Sequence, residues 1–149
     1  MAANDAVYSD QSQVTLQNSN GSSISSGNYQ SMSTSGLSAA QIANRPLGLF
    51  KIKAAGFSGA PTAGAYFILY EQRTDGTDQA DAPSDNNKRD WLHSWAPNLD
   101  SGADTYYVTV PIHKGGATYH LYWYDPGSVS LSANWGAWVI PTTYGPSAS

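Results

Sequence analysis

Three groups of side chains in this sequence have the chemistry to hold a metal or to catalyse a reaction. The densest is acidic, with Asp75, Asp78 and Asp81 on one loop and Asp85 and Asp90 following. Carboxylates on a bending loop suit a hard cation such as calcium, but the Asp-x-Asp-x-Asp-Gly order and the closing Glu of a calcium loop are missing. The expected structure is a solvated loop without a metal. The second group is His93, His113 and His120. No carboxylate or cysteine stands near any of them at ligand spacing, and HExxH is absent, so zinc is not expected. His113 and His120 are placed as cross-strand neighbours on a hairpin.

The third group would be a nucleophile with its base. The serines lie in polar stretches without a Gly-x-Ser-x-Gly turn, so no triad can be assembled. A glycosidase needs two carboxylates at a fixed separation, whereas Glu71 is the only glutamate and most aspartates fall in loops. No catalytic residue and no cofactor is assigned, and the chain is read as a non-enzyme.

The elements that must position any site are strands. After Pro46 the sequence becomes a succession of segments rich in Tyr, Trp, Phe, Val and Ile, punctuated by Gly, Pro, Asp and Asn. They are Leu47 to Ala54, Ala65 to Gln72, Trp91 to Trp95, Thr105 to Ile112, Thr118 to Tyr124, and Val129 to Pro141 with a break at Asn134 to Gly136. In the fourth, Tyr106, Val108, Val110 and Ile112 alternate with Tyr107, Thr109, Pro111 and His113. In the fifth, Tyr119, Leu121 and Trp123 alternate with His120, Tyr122 and Tyr124. Period-two patterning of this kind predicts antiparallel strands. Lys114 to Ala117 is read as the loop of a hairpin joining these two. The expected fold is all-β, an antiparallel β-sandwich or jelly-roll-like barrel of seven to eight strands. Only Ser38 to Asn44 is expected to turn as a helix.

Residues 1–43 have a different character, dominated by Ser, Asn, Gln, Gly and Ala, and are read as an extended polar arm ahead of a domain at 44–149. Val14 to Leu16 and Ser23 to Ser25 flank an Asn-Gly turn and form a candidate ribbon. Ordering each residue costs roughly 1–2 kcal/mol of backbone entropy. Val14, Leu16, Ile24, Tyr29, Met32 and Leu37 are too few to offset that within one chain. The arm is therefore expected either to be loose or to lie on a neighbour.

Ten tyrosines and five tryptophans on two-faced strands imply that some rings sit at a surface and make contacts there. Trp91, Trp95 and Tyr122 are the candidates. Charged residues make up 12% of the chain and the net charge is −4. The seven Lys and Arg are scattered and form no basic stripe, so nucleic acid is not an expected partner. Neither an export signal nor a stretch of about 20 apolar residues is visible, and no membrane association is expected. With no cysteine, stability must come from packing or association.

Three places carry a resemblance. Gly59-Ala60-Pro61-Thr62-Ala63-Gly64 leads into the strand Ala65 to Tyr70, Glu71 to Asp81 sets an Asp-Gly turn after it, and Val129 to Trp135 is followed by Trp138-Val139-Ile140-Pro141-Thr142-Thr143-Tyr144. This order resembles small β-sandwich virion proteins of tailed bacteriophages, of the head decoration (cement) type. Asn134, Gly136 and Ala137 depart from the pattern around the closing tryptophan. The resemblance implies a structural protein on the outer capsid surface, made in the host cytoplasm, bound to the major capsid protein and associated as a homotrimer. Val7, Tyr8, Val14, Leu16, Ile24 and Tyr29 would then anchor the arm to capsid or to a sister protomer by strand addition. Two alternatives are a tail or fibre component and a carbohydrate-binding β-sandwich module in which sugar stacks on Trp91, Trp95 or Tyr122.

Overall fold

The structure, a computed structural model, describes residues 6–10, 12–33, 37–42, 47–73, 91–112 and 117–146. The strands are β1 (Ala6–Asp10), β2 (Val14–Gln17), β3 (Asn28–Ser31), β4 (Leu47–Ala54), β5 (Tyr66–Gln72), β6 (Trp91–Trp95), β7 (Asp104–Pro111), β8 (Thr118–Tyr124) and β9 (Gly136–Pro146). They form two antiparallel sheets packed face to face, a β-sandwich. One has the order β1-β9-β4-β7, with β2 also on β9, and the other the order β3-β8-β5-β6. One helix, α1 (Ala39–Ile42), is closed by a reciprocal cap in which Gln41 N donates to Ser38 Oγ and Ser38 N donates to Gln41 Oε1.

Alternation explains β4 residue by residue. Gly48, Phe50, Ile52 and Ala54 point inward, while Leu47, Leu49, Lys51 and Lys53 point away from the core. β5 and β8 are central in their sheet and buried on both faces. From them Phe67, Leu69, Leu121 and Trp123 meet Phe50, Ile52, Trp135 and Val139 in the main core. Ile68, Tyr70 and Tyr122 make a second cluster on the opposite face of the sheet, flanked by Tyr66, Trp91 and Tyr124.

The described residues among the first forty do not form a separate arm. β1 and β2 follow one another along the same edge of β9, and β3 closes the other sheet against β8. Leu16 is 0% and Ile24 2% exposed, and both belong to the main core with Met32 and Leu37. The Val14–Ile24 ribbon does not form either. Val14 pairs with Val139, and Ile24 bridges Leu131. The physical reason is partner choice: β8, about ninety residues away, and β9, more than a hundred residues away, complete these segments. Burying four apolar side chains in a core they share with tryptophans offsets an ordering cost that they could not meet alone. Gly21 is part of the fit, because its α-carbon faces the Trp135 indole with no room for a Cβ, and Trp135 Nε1 donates to Ser22 O at 2.8 Å.

A hairpin between β7 and β8 is likewise overturned. β7 pairs with β4 and β8 with β5, so this connection passes from one sheet to the other. β7 is an edge strand with one wet face, whereas β8 is apolar on both faces and takes a central place. His113 lies outside the described residues, as does the Asp75–Asp90 loop.

Candidate functional site

The outer face of the five-stranded sheet carries an open groove. Outward residues lie in register across four strands: Tyr107 on β7 faces Lys51 on β4, which faces Trp138 on β9, and Trp138 in turn faces Thr15 on β2. The next row is Thr109, Leu49 and Ile140. Tyr107, Lys51, Trp138, Leu49 and Ile140, with Gln13 and Val139, line a groove of about 230 Å³. That is smaller than the few hundred Å³ usual for an enclosed small-molecule pocket, and it is open along the sheet. It suits a ligand that lies on the surface.

The local chain dictates the posture of each ring. Gly136 leaves no Cβ beneath Trp138, so the indole folds down along β9 over the glycine. Lys51 Nζ lies 4.5 Å from the centre of that ring, a cation–π contact. Tyr107 is 60% exposed, the most open aromatic side chain among the described residues. Its backbone is fixed by the neighbouring sheet, since Trp95 Nε1 donates to Tyr107 O at 3.2 Å. The groove thus sets the exposed Tyr107 side chain and the Trp138 indole, with the ammonium resting on it, across two strand spacings or about 10 Å.

The residues singled out from sequence are dispersed. Val7 and Tyr8 lie on β1, opposite Gly145 and Tyr144. Val14 packs against the core, and Leu16 and Ile24 are inside it. Tyr29 is 40% exposed on the edge strand β3, its ring edge-on to His120. Trp91 is half-buried beside Tyr66, and Trp95 is half-buried against the core with its indole committed to β7. Tyr122 is not a surface aromatic at all, at 2% exposed in the second cluster. Tyr107, Lys51 and Trp138, which do converge, were not selected. Their signal was present: Tyr107 falls on the polar face of its strand, Lys51 alternates with core residues, and Trp138 follows Gly136 at the spacing that lets it lie flat.

The buried polar groups have structural work. Glu71 faces the interior, accepts from Tyr119 Oη at 3.1 Å and lies 3.3 Å from Arg73 Nε. Burial and then the nearby carboxylate push the Tyr119 hydroxyl's pKa up. His120 joins two strands. Its Nε2 is 2.8 Å from Gln72 Oε1, which can only accept, so Nδ1 is left to accept from Ser31 Oγ at 2.9 Å. Burial lowers its pKa to about 4, and the ring is neutral at pH 7. Asp125 clasps three loops: its carboxylate accepts from Thr62 N and Gly127 N, and its main chain bonds Ser26 Oγ. Burial opposes its charge, but these donors prevail and hold its pKa below the ordinary value. Among the described residues no group of three or more His, Cys, Asp or Glu could hold a metal, and no helix is long and apolar enough to cross a membrane.

No protein-family model and no curated protein matches this chain. Among solved structures, the C-terminal CBM6 of LamC, a marine laminarinase from Zobellia galactanivorans, aligns at TM-score 0.46 and 13% identity, over 90% of this chain and 98% of that one. A carbohydrate binding module from Cellvibrio mixtus lichenase 5A, in complex with cellotriose, aligns at TM-score 0.43 and 16% identity, over 95% and 99%. Neither score carries an argument about function.

Proposed function

We propose that this protein is a non-catalytic β-sandwich binding module that takes carbohydrate in the groove of the five-stranded sheet. The observation that carries this reading is the row Tyr107–Lys51–Trp138, two aromatic side chains flanking a lysine whose ammonium rests on the indole, on an open surface. A sugar ring presents an apolar C–H face to an aromatic ring and equatorial hydroxyls to polar side chains. Gln13 and Lys51 supply polar groups in the groove, and Thr15 and Thr109 stand beside it in register with Trp138 and Leu49. None of the described residues that line the groove is a carboxylate or a histidine, which supports binding rather than cleavage.

The test is a glycan array followed by calorimetry on the strongest ligand, with Tyr107→Ala and Trp138→Ala beside the parent. Truncating an aromatic anchor at the centre of a contact costs about tenfold or more in affinity. Binding that survives both substitutions, with circular dichroism unchanged, removes this groove from the function.

A second reading is a virion decoration protein, bound to the major capsid protein as a homotrimer on the outer capsid surface. Its support is the sequence resemblance at Gly59–Gly64 and Val129–Tyr144, together with Tyr29 standing exposed on the edge strand β3, where a neighbouring chain can add a strand. Leu16 and Ile24 no longer serve as its anchors. Native mass spectrometry, with co-sedimentation against undecorated heads, tests it. A monomer that stays in the supernatant ends it.

A further inference from the structure

We infer that the groove selects anionic carbohydrate, a glycan bearing carboxylate or sulfate groups, and that Lys51 makes the selection. This rests on the groove being a carbohydrate site, and it adds the charge of the ligand. The premise is the company Lys51 keeps. Its cross-strand neighbours are Tyr107 and Trp138, and along the same face of β4 it is flanked by Leu49 and Lys53. Thr105 and Thr109 on β7 and Ile140 on β9 complete the surroundings. Among the described residues no carboxylate comes within salt-bridge distance of Lys51, whose ammonium rests on an indole. The described acid on the neighbouring strand is engaged elsewhere: Asp104 is opposite Ala54 and is engaged by Asn98 and by Thr105 N.

The chain has eleven acidic residues against seven basic ones. Two successive outward lysines on one strand without a counter-ion among the described residues are therefore a local reversal of the overall charge. An ammonium has three donors, and a ring beneath it satisfies none of them with an oxygen lone pair. Trp138 holds the amine beside the groove, so an incoming anionic oxygen meets a donor already placed, with less side-chain freedom left to lose. The aromatic walls displace water around it, which strengthens the pairing relative to an open surface. A neutral sugar gains the stacking alone.

The experiment is calorimetry of the full chain with matched trisaccharides: galacturonate and mannuronate trimers beside their carboxyl-reduced counterparts, and a sulfated galactan oligosaccharide beside its desulfated form. The expected result is at least tenfold tighter binding of one anionic member than of its neutral counterpart, weakening as salt rises. Lys51→Met should reduce the anionic ligand to the neutral level, and Lys51→Arg should retain it. Which arm responds separates carboxylate from sulfate. Equal binding of charged and neutral partners, or an anionic ligand indifferent to Lys51→Met, overturns the selection while leaving the carbohydrate site standing. Failure of every member to bind the parent chain overturns both.

Discussion

His120 makes the stability of this protein acid-sensitive in a window where few other groups titrate. Its pKa is lowered from 6.5 to about 4 by burial, while its two ring nitrogens join β3 and β5 through Ser31 and Gln72. The folded-state value lies below the unfolded one, so the unfolded chain takes up the proton first as pH falls. The contribution is whole above about pH 6.5 and is lost progressively toward pH 4. Each unit of difference corresponds to about 1.4 kcal/mol, and going from pH 7 to pH 4.5 removes about 2 kcal/mol of stability through this one ring. With a urea dependence of about 2 kcal/mol per molar, the unfolding midpoint drops by about 1 M. The assay is urea unfolding followed by tryptophan fluorescence at several pH values, on the parent chain and on His120→Gln. The variant should be less stable at pH 7 and should lose that much less on acidification. His93, whose pKa burial also lowers, is present in both chains and cancels. Parallel pH profiles for the two proteins would refute the reasoning.

Other outcomes follow from the same contacts. Leu16→Ala should cost about 2–5 kcal/mol by chemical denaturation, since the side chain is fully enclosed in the main core. Deleting residues 1–37 should leave a chain without cooperative thermal unfolding, because it strips partners from both sheets and four side chains from the core. Gly136→Ala should lift the Trp138 ring off the sheet, read as a changed near-ultraviolet dichroism and weaker glycan binding, with the far-ultraviolet spectrum kept. Asp125→Ala should destabilise by about 1–3 kcal/mol at pH 7, leaving the Thr62 and Gly127 amides without their acceptor. That loss should shrink as pH falls below the ordinary carboxylate value, and disappear only once pH has passed below the parent's depressed pKa.

Strands whose pattern is local were legible in the sequence. Leu47 to Ala54 and Trp91 to Trp95 match β4 and β6 to the residue, and the break near Asn134 coincides with a left-handed backbone at that residue, φ 72°. What escaped was everything decided by a distant partner. Nothing in Val14-Thr15-Leu16 announces that its hydrogen bonds go to Ala137–Val139, and a count of apolar residues in the first forty positions cannot see the core waiting for them. The alternation in Tyr119 to Tyr124 was visible, but it does not say that the second face is covered too, and so Tyr122 was misread as a surface ring. The groove was missed for a related reason: Lys51, Tyr107 and Trp138 are unremarkable one at a time and become a site only when β4, β7 and β9 are laid side by side.

The position of β9 also sets a timetable for synthesis. β1 and β2 are made well before β9, the strand they pair with, so both wait with unsatisfied backbone until β9 has been made. Until Gly136–Pro146 arrives, β4 too lacks one of its two neighbours. A nascent chain stalled short of Trp135 would hold exposed apolar edges of the kind that recruit other chains, and β9 acts as the latch that ends that exposure.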